Sequence, residues 1–155
     1  MSVPARLDFA TYGRPGTPGL LVEAKRVDQA KPEWAREWRQ NLFEYQPQGL
    51  EDVLLALVTL ARIFVWPVGA ALDAPPSFVL DTMAHLQPYF DRVGLAPASI
   101  SPRQFERVVS RWLEVLTNPH RVRELSPALR RELQEAGLLA ALEDALLVEE
   151  GSARW

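Results

Sequence analysis

This sequence predicts an α/β fold, a small sheet followed by a helical half. Three observations carry the prediction. Apolar runs with β-forming composition crowd the first seventy or so positions. One helical stripe lies between the second and third of those runs. From Leu72 onward, helix-spaced apolar residues with proline and serine start signals dominate. The 155 residues amount to about one domain, enough to bury roughly two thirds of the unfolded surface. A composition 48% hydrophobic and 24% charged excludes a disordered chain. The absence of cysteine excludes a disulfide scaffold, thiol catalysis and any cysteine-ligated metal. A net charge of -3 argues against a polycationic nucleic-acid binder, although the first forty residues are mildly basic.

Leu7–Tyr12 and Leu20–Lys25 read as strands, and the glycines and prolines of 13–19 between them make a hairpin with a long loop. Glu33 to about Tyr45 reads as a helix opened by Pro32, with Trp34, Trp38, Leu42 and Tyr45 along one face. Val53 to Leu72 is long enough to span a bilayer, but Arg62 would sit at its centre at a cost of about 2.5–3.5 kcal/mol. Two buried strands, Val53–Thr59 and Arg62–Trp66 around a tight Leu60-Ala61 turn, fit better, so no membrane is expected. A soluble buried helix over Glu51–Trp66 competes with them, and periodicity does not decide.

Pro75-Pro76-Ser77 is a stop and cap before a helix with Val79, Met83, Leu86, Phe90 and Val93 on one face, ended by Gly94. His85 reads as a surface or boundary residue of that helix, and His120 as a residue of a turn. Ser101-Pro102-Arg103-Gln104 is a capping box with proline at the first helical position. Phe105, Val108, Val109, Trp112, Leu113 and Leu116 form the stripe it starts. Ser126-Pro127 repeats the device, and Gly137 divides that helix from a last one, Leu138–Leu147. Residues 1–72 are thus expected to form the α/β core and 73–155 an all-helical region packed on it as one unit. No apolar segment follows Met1–Arg6, so cytoplasm is the expected location.

The chemistry gathers on the hairpin. Asp8 begins one strand, and Glu23-Ala24-Lys25 ends the next. Glu23 and Lys25 point to the same face, because side chains in a strand alternate. Asp8 and Glu23 together suit a hard divalent cation, which takes oxygen ligands. The triplet alone is weak, since about a quarter of chains of this composition would hold one by chance. Its position at the end of an apolar strand, in a chain with only two lysines, strengthens it. A solvent-facing Glu–Lys pair on an edge strand is the plain alternative. Register decides: if Tyr12 pairs with Leu20, Asp8 falls opposite Ala24 and faces away from Glu23. A shift of one residue, or a bulge, brings the carboxylates together.

Asp8 and Glu23-x-Lys25 on a hairpin followed by a helix resemble the PD-(D/E)XK, restriction-endonuclease-like nuclease superfamily. The likeness is to its small stand-alone bacterial members and to the N-terminal domain of type I restriction motor subunits, and it covers about residues 6–67. The resemblance implies Asp8 and Glu23 as ligands of Mg²⁺ or Mn²⁺, Lys25 as the catalytic lysine, and Gln40 as a helix glutamine near the site. Leu7 stands where the family has proline. Seven residues precede Asp8, so the family's upstream helix and strand are expected to be missing and the sheet to have an open edge. The expected function is hydrolysis of DNA phosphodiester bonds, with Arg14, Arg26, Arg36 and Arg39 as candidate phosphate contacts. The alternative is an inactive module on the same scaffold, whose open edge and helical stripes bind a partner protein or a second copy.

Overall fold

The computed structural model describes residues 7–14, 17–28, 30–45 and 50–149. The expected α/β class is what it shows: one mixed six-stranded sheet with helices on both faces. Strands β1 (Phe9–Arg14) and β2 (Thr17–Ala24) form the hairpin, and Pro15 and Gly16 lie outside the described residues. Helix α1 (Pro32–Tyr45) leads to β3 (Leu54–Val58), which runs parallel to β2, as a helical crossover allows. β4 (Arg62–Trp66) returns antiparallel. The 53–66 segment is therefore two strands rather than a helix. Thr59 closes the Leu60-Ala61 turn, its N–H donating to Arg62 O at 2.9 Å and its Oγ1 accepting from Arg62 N–H at 3.0 Å.

The second half departs from the all-helical expectation at two places. β5 (Phe78–Asp81) adds to β4, so α2 (Thr82–Val93) begins later than Ser77 would start it. Asp81 is the cap, its carboxylate accepting from Ala84 N–H at 2.9 Å. Val79 belongs to the strand and is exposed. Then follow α3 (Pro102–Leu116) with its capping box intact, α4 (Pro119–Arg123), α5 (Pro127–Glu135, capped by Ser126) and α6 (Leu138–Leu142). The last helix stops at Leu142, and Asp144, in the left-handed region at φ 55°, turns the chain into β6 (Leu146–Glu149). β6 pairs antiparallel with β1, from Phe9 opposite Glu149 to Tyr12 opposite Leu146. The strand order is β5-β4-β3-β2-β1-β6. The β1 edge expected to lie open is thus covered by β6, and the edge on that side of the sheet passes to this four-residue strand.

Alternation sorts the strand residues into two layers. Phe9, Leu20, Val22, Ala56, Val58, Ile63 and Val65 pack with Leu86, Phe90, Phe105, Val109 and Leu113 of α2 and α3. Ala10, Leu21, Leu55, Leu57, Phe64 and Trp66 pack with Ala35 and Leu42 of α1. Both faces of β3 and β4 are buried, which is why those runs are continuously apolar. Among the described residues, no helix is long and apolar enough to cross a membrane.

Candidate active site

The hairpin register brings the two carboxylates together. Phe9 stands opposite Val22, Ala10 opposite Leu21 and Thr11 opposite Leu20. Tyr12 then stands opposite Pro18, an irregularity that shifts the pairing. Extending the regular pairing by a single residue places Asp8 across from Glu23, on the face that Ala10 and Leu21 share. Asp8 Oδ2 accepts the Ala24 N–H at 2.8 Å, which fixes its carboxylate at the mouth of the hairpin. Lys25 continues the sheet direction, its N–H donating to Val58 O at 2.8 Å, so it keeps step with Glu23.

The electrostatics follow from that geometry. Burial raises the Glu23 pKa to about 8, Asp8 adds to the rise by charge and by a hydrogen bond between the carboxyls, and Lys25 opposes it. Glu106, on α3, adds a smaller push in the same direction. The sequence offered no signal for this carboxylate, because it reads as one polar position in an amphipathic helix. Glu23 Oε1 is buried with no hydrogen-bond partner among the described residues. Such an atom is costly unless something supplies a proton or a positive charge. Among the described residues, no group of three or more His, Cys, Asp or Glu side chains is placed to hold a metal. A site here has two carboxylates, the donor number with which Mg²⁺ is commonly held when waters and a substrate phosphate complete its shell. Asp8 and Glu23 fit that requirement, and the lone Oε1 is the atom that points to it. Past Lys25, a cleft of about 500 Å³ is lined by Val27, Ala30, Lys31, Glu33, Trp34 and Glu37.

No family model, curated protein or solved structure matches the chain.

The other expected site residues fare differently. Gln40 is half-buried on α1 and makes no hydrogen bond to Asp8, Glu23 or Lys25 among the described residues. Arg39 is not a phosphate contact. It is 2% exposed, donates to the carbonyls of Ala70 at 3.0 Å and Ala71 at 2.6 Å, and lies over the rings of Phe43 and Trp66. That guanidinium ties α1 to the loop after β4. Arg26 is committed as well, its Nε donating to Ile100 O at 2.6 Å and its Nη2 to Ala98 O at 3.0 Å. Arg36 is exposed on α1, and the Arg14 side chain lies outside the described residues. Trp34 and Trp38 are half-buried against the core, with Trp38 6.2 Å from Trp66. His85 is corrected outright: it is buried between α2 and α5, its Nε2 2.9 Å from Glu132 Oε1 and its ring 6.3 Å from Trp112.

Proposed function

We propose that this chain is a nuclease-like hydrolase of DNA phosphodiester bonds, dependent on Mg²⁺ or Mn²⁺. The observation that supports the reading is the Asp8–Glu23 pair with Lys25 in step beside it, on a hairpin whose register sets Thr11 opposite Leu20. Asp8 and Glu23 would hold the cation, which would supply an activated water and neutralise phosphate charge. Asp8 is oriented for this by the Ala24 N–H, which fixes one of its oxygens. Glu23 must shed its proton to bind a cation, so affinity rises with pH toward about 8. Lys25 places an ammonium beside the carboxylates, where it stabilises the charge that develops on the phosphate. Arg36 is the remaining described arginine of the expected set with a free guanidinium at the surface of α1.

The test has two stages. Mn²⁺ titrated into the protein by calorimetry binds, and Asp8→Ala removes the binding. Purified protein with Mn²⁺ then cleaves single- or double-stranded DNA, and Glu23→Ala and Lys25→Ala each lower the rate on the order of a hundredfold or more with unchanged circular dichroism. Cleavage retained in both variants overturns the reading. In the alternative of an inactive interaction module, the edge beside β1 is taken by β6, which leaves the helical stripes as the surface for a partner.

A further inference from the structure

A second site lies on the helical side, built from three helices. A concavity of about 170 Å³ is lined by Arg92 at the end of α2, Arg111, Glu114 and Val115 on α3, Asn118, and Arg121 on α4. Three guanidiniums and one carboxylate leave it with an excess of positive charge, in a chain whose net charge is -3. Neither Arg92 nor Arg111 has a carboxylate partner among the described residues. Arg121 has only a loose one, Glu124 at 3.6 Å from its Nε. Arg92 lies over the Tyr89 ring at 5.9 Å, which holds the guanidinium against the helix surface. Asn118 spends its Oδ1 on the His120 N–H at 2.9 Å, which leaves its amide nitrogen as the group able to donate. The walls therefore offer many donors and one acceptor, Glu114.

We propose that this pocket binds a terminal phosphate group, either free phosphate or a phosphomonoester. Planar guanidiniums match phosphate oxygens in pairs, which is what three arginines from separate helices supply. The single carboxylate narrows the choice further. A phosphomonoester keeps a proton up to about pH 6, and the Glu114 carboxylate can accept a hydrogen bond from that P–O–H group. Sulfate and a backbone phosphodiester carry none and meet Glu114 with repulsion. The site is separate from the hairpin carboxylates, and the inference does not depend on the nuclease reading.

Inorganic phosphate is the first probe, titrated at pH 6 and low ionic strength, with sulfate as the comparison anion. Phosphate is expected to bind more tightly than sulfate, and Glu114→Gln is expected to narrow the difference. Arg92→Gln and Arg111→Gln each weaken phosphate by about tenfold, while Arg131→Gln, an exposed arginine on α5, leaves it unchanged. The positions are exposed, so the variants should fold, and circular dichroism checks that they do. An oligonucleotide with a 5′-phosphate, set beside the same strand without one, separates the sources. Competition by the phosphorylated strand alone assigns a strand end, and competition by neither assigns a small free phosphate. Equal competition by both strands, no phosphate binding, or an equal loss in Arg131→Gln overturns the proposal.

Discussion

Two carboxyl groups of this protein meet partners inside it, and the two meetings are of opposite kinds. Glu132 reaches from α5 to His85 on α2 at 2.9 Å, a donor meeting an acceptor between helices. Glu23 meets Asp8, carboxyl against carboxyl, joined by a hydrogen bond only while one of them holds a proton, with Oε1 left unpartnered among the described residues. The first contact satisfies a buried imidazole whose side chain is 1% exposed, and so fastens two helices. The second costs stability whenever both groups are ionised. A fold gains nothing from such a pair by itself. Its free energy is recovered only when a proton or a cation arrives, which is what the proposed cation site requires.

Substitution at Glu23 should separate the two contacts most widely. Its folded pKa is raised above the ordinary value, from 4.5 to about 8, so the folded state holds a proton that the unfolded state has released between those pH values. The stability it contributes is complete below pH 4.5 and is lost as pH rises through about 8. Denaturant titrations should show wild-type stability falling by roughly 2–4 kcal/mol across that window, and Glu23→Gln should flatten the fall. The same variant should lose Mn²⁺ binding. A variant that gains stability at pH 8 while losing the cation would mark the pair as functional; one that changes neither would dissolve the contrast.

His85→Ala comes next. It removes the contact with Glu132 and the ring packed beside Trp112, at a cost of about 2 kcal/mol in urea unfolding. Glu132→Gln should cost less than about 1 kcal/mol, because its side chain is 45% exposed and an amide oxygen still accepts from the imidazole. If Glu132→Gln costs as much as His85→Ala, the contact is a charged pair rather than a neutral hydrogen bond. Smallest of all, Ser101→Ala should cost about 1 kcal/mol through the lost cap alone, with no change in pH dependence or cation binding.

Much of the site's raw material was legible. Asp8, Glu23 and Lys25 announce themselves by residue type, by strand parity and by the rarity of lysine in this chain. Whether Asp8 and Glu23 meet was not legible, because it depends on Leu20 pairing with Thr11 rather than with Tyr12. A single residue of slip would have turned Asp8 to the other face. Arg39 reads as a surface arginine between Trp38 and Phe43, but the loop carbonyls of residues 70–72, thirty positions away, claim its guanidinium. His85 carries no local mark of its burial, since Glu132 lies 47 residues on. The arginines of the proposed phosphate site carry no such mark for the same reason: they are scattered over three helices and converge only when these pack.

Features under local control could be read from the chain directly. The capping box at Ser101, the Ser126 cap, the Gly94 stop, the Leu60-Ala61 turn and the apolar strands of 53–66 each depend on neighbours a few residues apart. Partners across the fold were chosen only when the elements packed. β5 and β6 have four residues each and too little apolar pattern to declare themselves; they are strands because β4 and β1 offered unpaired edges. The same edge pairing stops the last helix at Leu142 and moves the α2 cap from Ser77 to Asp81. A backbone group must find a hydrogen-bond partner wherever one exists, and a short segment carries no record of which edge will supply it.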